Sequence, residues 1–410
     1  MLDIKFIRDN KKLVEETVKK RRVDVDIAHI LEIDDTRLGL IKTVERLRRE
    51  RKEAAGKKDI EEGRKIKDKL NKQEDALRAV ELELNEYLEQ VPNLLSKEVP
   101  DGEGEKDNVE VKSWGEKPKF DFKPKDHVQL GKDLKIIDED QAAKVSGHGF
   151  YYLKDEGALL ELALVSWAIK FFVEKGYMPV ITPELVRKRF VEGTGYLPRR
   201  EKPDIYKIEG EDLYLVATAE IPLAALHADQ ILNEEDLPLN YAGFSSSFRK
   251  EAGSYGKYAK GIFRVHQFDK VEIFKFVKPE DSKAAFKEIV SLEEEIYQAL
   301  KIPYRVVNIC SGEMSAAAYL KYDLEYWGPA DQSYREITSA SNTTDYQARR
   351  LNIKYRKKDG SIFYAHTLNG TAVAISRTII AILENYQQKD GTVRVPDILR
   401  DFLGKDTLGR

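Results

Sequence analysis

The chain has 410 residues, room for two or three domains, and its charged side chains, 34% of the total, nearly cancel to a net charge of −3. That balance does not mark a nucleic-acid binder, although it can conceal a local basic face. The single cysteine, Cys310, excludes a disulfide framework and a multi-cysteine zinc site within one chain, and fits a reducing, cytoplasmic setting.

The opening stretch, MLDIKFIRDNKKLVEE, interrupts its apolar positions with charge and does not read as a secretory signal. Residues 1–30 read as short helical pieces. A long charged tract follows. Ile66, Leu70, Leu77, Val80, Leu84, Tyr87 and Val91 keep a 4-3 apolar rhythm, with Gln73 filling the one gap, and Leu40, Val44, Leu47 and Ala54 keep the same rhythm upstream. Between the runs, Gly56 and Gly63 can break a helix. The pattern predicts an antiparallel coiled-coil arm. Its charge is uneven: Lys42 to Lys72 holds 13 basic against 7 acidic residues, whereas Gln73 to Gln90 holds one against six. The basic end reads either as a solvated helix surface or as a face that meets phosphate.

Pro92, Pro100 and the polar run DGEGEKDN end the arm. We expect a helical domain over 1–100, a linker over 101–112 and a second domain over 113–410. In that domain ALLELALVSWAIKFFVEKGY, interrupted by Glu161 and Lys170, reads as a core-facing helix, not a membrane span. Apolar alternation recurs in MPVITPEL, DLYLVATAEIPL, LPLNYAGFSSSFRKE, GIFRVHQFDKVEIFKFV and YRVVNI, and helices are expected over 279–300 and 372–387. Strands adjacent in sequence, with helices appended, predict an α+β domain around an antiparallel sheet. The phosphate-loop and GxGxxG signatures of the parallel-sheet nucleotide folds are absent.

Four stretches concentrate chemistry. The first is a long hairpin with a Gly-, Lys- and Tyr-rich tip between Phe248 and Phe274. Alternation puts Arg249 and Glu251 on one face of one strand, and Phe268, Lys270 and Glu272 on one face of the other. Such a face is poor core material; arginine suits phosphate and Phe268 can stack on a base. The second is Glu336 followed by Thr338 and Ser339, hard oxygens at close spacing that suit Mg²⁺. The third is TLNGTAVAISRT, where small residues admit a ligand and Arg377 follows. The fourth is LVATAEIPL, where Thr218 and Glu220 share a face if the stretch is a strand; a hydroxyl ahead of a helix is the alternative. Each stretch also has an ordinary structural reading: a surface hairpin, a strand end, tight strand–helix packing, a cap.

Taken together, PEL after a Gly-Tyr turn, FRKEAG…FRVHQF and a small-residue strand ending in Ser-Arg-Thr resemble the three motifs of class II aminoacyl-tRNA synthetases. TAEIPL, GTGYLP, EITSASNTTDYQARRLNI and ILENYQQKDGTVRVP narrow the resemblance to the seryl-tRNA synthetase family, over essentially the whole chain. It departs where members often carry Ser at Thr338, Cys at Ala340 and Thr343, and Gly at Ser376.

The resemblance implies a homodimeric ATP-dependent serine–tRNA ligase with the class II fold, acting on ATP, L-serine and tRNA(Ser), and on tRNA(Sec) where present, with Mg²⁺, no zinc and no membrane. It implies Arg249, Arg377 and Glu336 as catalytic residues. ATP would meet Arg249, Lys250, Glu251, Arg264, Val265, Phe268, Glu336, Ile337, Thr338, Ser339 and Arg377. Serine would meet Thr218, Ala219, Glu220, Arg249, Glu272, Asn369 and Thr371. Glu336 and Ser339 would hold Mg²⁺, and Lys42, Arg46, Arg48, Arg49, Arg51 and Lys52 on the arm would meet the long variable arm of tRNA(Ser). The segment around Pro183 resembles the dimer-forming motif. Two other classes stay open: an enzyme that loads serine onto a different acceptor, and a non-catalytic binding protein.

Overall fold

The computed structural model describes residues 1–196, 204–251 and 260–409. Residues 252–259, the expected loop tip, lie outside the described residues. The chain divides into two compact units, Met1–Leu94 and Leu95–Arg410.

The first unit is helical: α1 (Ile4–Asp9), α2 (Lys11–Lys20), α3 (Ile27–Gly56) and α4 (Ile60–Leu88). Asp26 opens α3 by accepting the His29 amide at 3.1 Å, and Asp59 opens α4 by accepting the Glu62 amide at 3.0 Å. The turn between them is Lys57–Asp59, so Gly56 closes α3 while Gly63 sits inside α4. Apolar side chains along the pair fall into two clusters. Val44, Leu47, Ala54, Ile66 and Leu70 pack near the turn. Leu84, Leu88 and Val91 pack with α1, α2 and the start of α3. All but Leu88 are positions of the heptad rhythm, and the helix pair buries them while Leu38, Ile60 and Leu82 stay exposed. The expected arm residues Lys42, Arg46, Arg48, Arg49, Arg51 and Lys52 lie on the outside of the pair. Arg48 crosses to Glu74 at 2.7 Å, and Arg46 bonds Glu50 at 2.9 Å.

The second unit is built on an eight-stranded sheet. In chain order its strands are β1 (Val109–Trp114), β2 (Met178–Ile181), β3 (Leu239–Phe248), β4 (Gln267–Val277), β5 (Tyr304–Asn308), β6 (Leu320–Gly328), β7 (Ser333–Thr344) and β8 (His366–Ala374). They lie in the order β1-β5-β6-β7-β8-β4-β3-β2. Neighbours run antiparallel except β2, which lies parallel to β3. Helices α5 (Glu156–Glu174), α6 (Glu220–Ala225), α7 (Ser282–Ala299) and α8 (Ile375–Tyr386) pack against it. The main core joins α5, α7 and α8 to the sheet through Leu164, Phe172, Ile289, Ile296, Ile379 and Leu383.

Three expectations shift. Residues 101–112, expected as a linker, belong to the second unit, and 109–112 already lie in β1. The Gly102 amide reaches Ser311 Oγ at 3.3 Å, and Asn108 Oδ1 accepts the Cys310 amide at 2.9 Å, contacts that polar composition cannot reveal. Residues 372–374 complete β8 before α8 begins. Thr218 and Glu220 do not share a strand face, because Glu220 opens α6. The Glu220 amide donates to Thr218 Oγ1 at 3.2 Å, so the hydroxyl ahead of a helix is what forms.

Candidate active site

The open face of β4, β7 and β8 supplies the floor of the site. On β4, alternation brings Phe268, Lys270 and Glu272 to that face. Glu272 pairs with Thr371 of β8, and Asn369 of β8 pairs with Ser341 of β7, so these side chains stand side by side. Two β-bulges finish the arrangement. Leu324 pairs with Thr338 but Glu325 with Glu336, which leaves Ile337 as the extra residue of β7. The register of β8 likewise slips between Thr371 and Val373. A bulge lets residues three apart face the same way. Glu336 thus joins Ser339 at one cavity, and Thr371 joins Ala374 at another.

The first cavity, of about 390 Å³, is lined by Glu220, Arg249, Lys270, Glu272, Glu336, Ser339, Ser341, Asn369 and Thr371, closed by Thr194–Tyr196 and Asp204. Its polar groups are densely linked. Glu220 accepts from Tyr196 Oη at 2.7 Å, Gln347 Nε2 at 2.7 Å and Asn369 Nδ2 at 3.1 Å. Glu272 accepts from Asn369 Nδ2 at 3.1 Å and Thr371 Oγ1 at 3.4 Å. Burial first, and then the charge of Glu272, push the Glu220 carboxyl above its ordinary range. Asn369 Oδ1 is buried with no hydrogen-bond partner among the described residues, which leaves an acceptor there for a ligand. Paired carboxylates beside a hydroxyl and an unused amide oxygen suit a small ligand that carries an ammonium and a hydroxyl.

The second compartment is lined by Arg249, Glu251, Arg264, Val265, Phe268, Ile337, Ser376 and Arg377. The Arg249 guanidinium lies 5.3 Å from the Phe268 ring, and that of Arg377 lies 4.7 Å from the Phe263 ring. Arg264 meets Glu251 at 3.4 Å. Arg377 Nη1 donates to Glu336 Oε1 at 2.8 Å. Crowding by protein would raise the Glu336 carboxyl, although its side chain is still 45% exposed, but Arg377 and then Lys321 outweigh it and hold it at about 2. An aromatic face between arginines, next to a carboxylate whose charge Arg377 favours, suits a nucleotide. Arg249, Lys270, Glu336 and Thr371 line both compartments.

Most sequence-derived site residues therefore converge, and a few do not. The Lys250 amide bonds the Asp204 carbonyl at 2.9 Å and its ammonium lies 5.8 Å from the Tyr206 ring, outside both cavities. Thr338 points through the sheet and donates to Glu293 on α7 at 2.9 Å, because the bulge at Ile337 turns it away. Ala219 is buried in a neighbouring apolar cluster, and Thr218 meets the site through the Lys270 ammonium and the Glu220 amide. Tyr196, Ser341, Thr343 and Gln347 lie in the GTGYLP and EITSASNTTDYQARRLNI stretches but carry no expected site role, and Lys321 lies in neither; all five join the site. Only the alternation Ser339–Ser341–Thr343 could have pointed to two of them.

Residues 1–95 match the family model of the seryl-tRNA synthetase N-terminal domain, and residues 205–386 match that of the class II tRNA synthetase core domain (G, H, P, S and T). The chain is 47% identical over 420 residues to the serine–tRNA ligase of Rubrobacter xylanophilus, covering 100% of this chain and 99% of that one. It is 44% identical over 422 residues to that of Treponema denticola, with 100% of each covered. The crystal structure of seryl-tRNA synthetase from Pyrococcus horikoshii complexed with ATP superposes with a TM-score of 0.93 at 42% identity, covering 100% of this chain and 99% of that one. The cytoplasmic serine–tRNA ligase of Naegleria fowleri in complex with AMP gives 0.90 at 35%, covering 100% and 98%. With both halves matched and full-length likeness in sequence and fold, the chain belongs to the seryl-tRNA synthetase family of class II aminoacyl-tRNA synthetases, the serine–tRNA ligases.

Proposed function

We propose that the chain activates L-serine with ATP to seryl-adenylate and then transfers serine to tRNA(Ser). The observation that carries this reading is the pair of compartments joined at Arg249, Lys270, Glu336 and Thr371, one acidic and hydroxyl-lined, the other aromatic and arginine-lined. Glu220, Glu272, Asn369 and Thr371, with Thr218 beside them, take the serine ammonium and hydroxyl. Arg249 bridges the serine carboxylate and the α-phosphate. Phe268 stacks on adenine, flanked by Glu251, Arg264 and Val265, and Arg377 meets the terminal phosphate. The serine carboxylate is itself the nucleophile, so the protein supplies position and charge, not a covalent group.

The donor set fits Mg²⁺. Glu336 is held ionised and Ser339 stands on the same face, two hard oxygens that leave the remaining positions to water and phosphate. These two residues would hold the ion, which would supply positive charge to the phosphates of ATP.

Homodimer assembly through α5 and β2 is supported by uncovered apolar surface. Leu162 is 63%, Met178 59% and Ile181 87% exposed, and β2 ends the sheet. The arm's outward-facing Lys42, Arg46, Arg48, Arg49, Arg51 and Lys52 meet the phosphates of tRNA(Ser). Among the described residues no helix is long and apolar enough to cross a membrane.

Serine-dependent exchange of pyrophosphate into ATP, followed by charging of tRNA(Ser), tests the reading. Exchange without charging of tRNA(Ser) would point to another acceptor. No exchange would point to a binding protein.

A further inference from the structure

We infer that Lys270 is a second cation for adenylate formation, acting with Arg249 where the two compartments meet; the inference rests on the function proposed above. On β4, Phe268 faces the nucleotide compartment and Glu272 the acidic one, and Lys270 lies between them and lines both. Its side chain is only 7% exposed. A buried ammonium is costly unless paired, and an apolar residue of similar volume would fill the space at no such cost. Its presence at this seam therefore asks for a use.

The neighbours of Lys270 indicate that use. Nζ lies 2.5 Å from Glu272 Oε2 and donates to Thr218 Oγ1 at 2.6 Å. These are two of the acceptors assigned above to serine. Serine arrives with an ammonium and a hydroxyl of its own and competes for them. Lys270, a compact charge on a flexible stem, then turns along the seam towards Arg249. There the serine carboxylate must approach the α-phosphate, and the two anions repel. Arg249 supplies one charge there; Arg377 is matched by Glu336, Lys321 by Asp323, and the Mg²⁺ proposed above would serve the phosphates rather than the serine carboxylate. Lys270 matches the second.

In the step itself a carboxylate oxygen forms a bond to the α-phosphorus. The bond from that phosphorus to the bridging oxygen of the β-phosphate breaks, and its electron pair leaves with pyrophosphate. Lys270 donates hydrogen bonds throughout and gives up no proton. Before serine binds, the same ammonium keeps Glu272 and Thr218 in place and spares the site an unpaired buried carboxylate.

The full-length chain carrying Lys270→Gln or Lys270→Arg tests this by serine-dependent ATP–pyrophosphate exchange, with kcat and KM measured separately and Tm recorded. Lys270→Arg keeps the charge. Gln keeps one amide donor but is one bond shorter and leaves Glu272 without its buried cation, so its Tm should fall and its kinetics are read well below that Tm. Its kcat should fall about 10²–10³-fold, the scale for losing one preorganised charge stabiliser, with KM for ATP changed less than about threefold. Arg should recover at least about tenfold of that loss. A Gln variant whose kcat stays within about threefold of wild type, or whose whole defect lies in KM for serine, would overturn the inference and leave Lys270 as a group that only positions Glu272. Absence of exchange in the wild-type chain would instead overturn the functional reading, so the two failures are distinguishable.

Discussion

Arg249 reaches the site from just past the end of β3, where its Nε donates to the Ala217 carbonyl at 3.2 Å and its guanidinium faces Phe268. Little of the core depends on it. Arg249→Ala should lower adenylation about 10²–10³-fold while Tm stays close to wild type; exchange kinetics and thermal denaturation check both halves. Glu272 is tied to Asn369, Thr371 and Lys270, and the proposed function has it hold serine. A site built around a hydroxyl can reject the analogue that lacks it by about 10⁴-fold. Glu272→Ala should therefore collapse the preference for serine over alanine, and an unchanged ratio in exchange assays would remove Glu272 from the pocket. A third residue works through pH. Burial, and after it the hydrogen bond and charge of Asp269, hold Glu161 on α5 up at about 8. The folded chain thus binds this proton more tightly than the unfolded chain does. That contribution to stability is complete below the ordinary value of 4.5 and is lost as pH rises through about 8. Glu161→Gln should flatten the fall in Tm between about pH 5 and 9 and add about 1–2 kcal/mol of relative stability at the alkaline end.

At the scale of elements, β8 is squeezed between the site and α7. A Cβ on Gly370 would lie 2.4 Å from Ile289 Cγ2 and 2.7 Å from Glu293 Oε1. Gly370→Ala should cost about 1–3 kcal/mol by overpacking. Because Asn369 and Thr371 flank it on the other face, KM for serine should rise as well; denaturant melts and exchange kinetics would show the two effects together. The same strands mark what could be read in advance. Period-2 alternation located β3, β4 and β5, and with β4 Phe268 and Glu272, because strands with one buried face must alternate; Glu336 is read from its spacing to Thr338 and Ser339 rather than from the alternation of β7. The heptad rhythm located the α3–α4 pair for a similar reason. What alternation misses are the slips. The bulges at Ile337 and beside Ala372 reverse the faces of the residues beyond them, so Thr338 turns to Glu293 while Ser339 joins Glu336. Nothing local in the sequence announces either bulge. Short alternating runs also mislead: Thr218 and Glu220 satisfy a strand pattern and form the start of a helix. Tyr196 and Gln347 reach Glu220 from 24 and 127 residues away, pairings that only the tertiary fold creates.

At the scale of the whole molecule, two surfaces lie outside the adenylation site. On the face proposed for dimerisation, Ile181→Asp should place a charge at the seam and shift the sedimenting species towards the monomer. The helical arm offers a cleaner separation of functions, because its apolar side chains form two distinct clusters. Val44, Leu47, Ala54, Ile66 and Leu70 serve only the arm, whereas Leu84, Leu88 and Val91 belong to the core of the N-terminal unit. Removing Val44–Leu77 and joining Thr43 to Arg78 with a short Gly-Ser linker therefore leaves that core intact, since packed helices lie only about 8–10 Å apart. Exchange should stay close to wild type, because none of the deleted residues lines either compartment. Charging should fall through weaker binding of tRNA(Ser). The log–log salt dependence of that binding should flatten by about 0.7–0.9 for each phosphate that the arm no longer neutralises. Reversing the charges of Arg48, Arg49 and Lys52 should act in the same direction with the arm present. The Arg48–Glu74 pair that this reversal breaks is exposed and worth at most about 1 kcal/mol, too little to unfold the arm and imitate the effect. If the shortened chain binds tRNA(Ser) with unchanged affinity and salt slope, the basic residues are only the solvated surface of a helix pair.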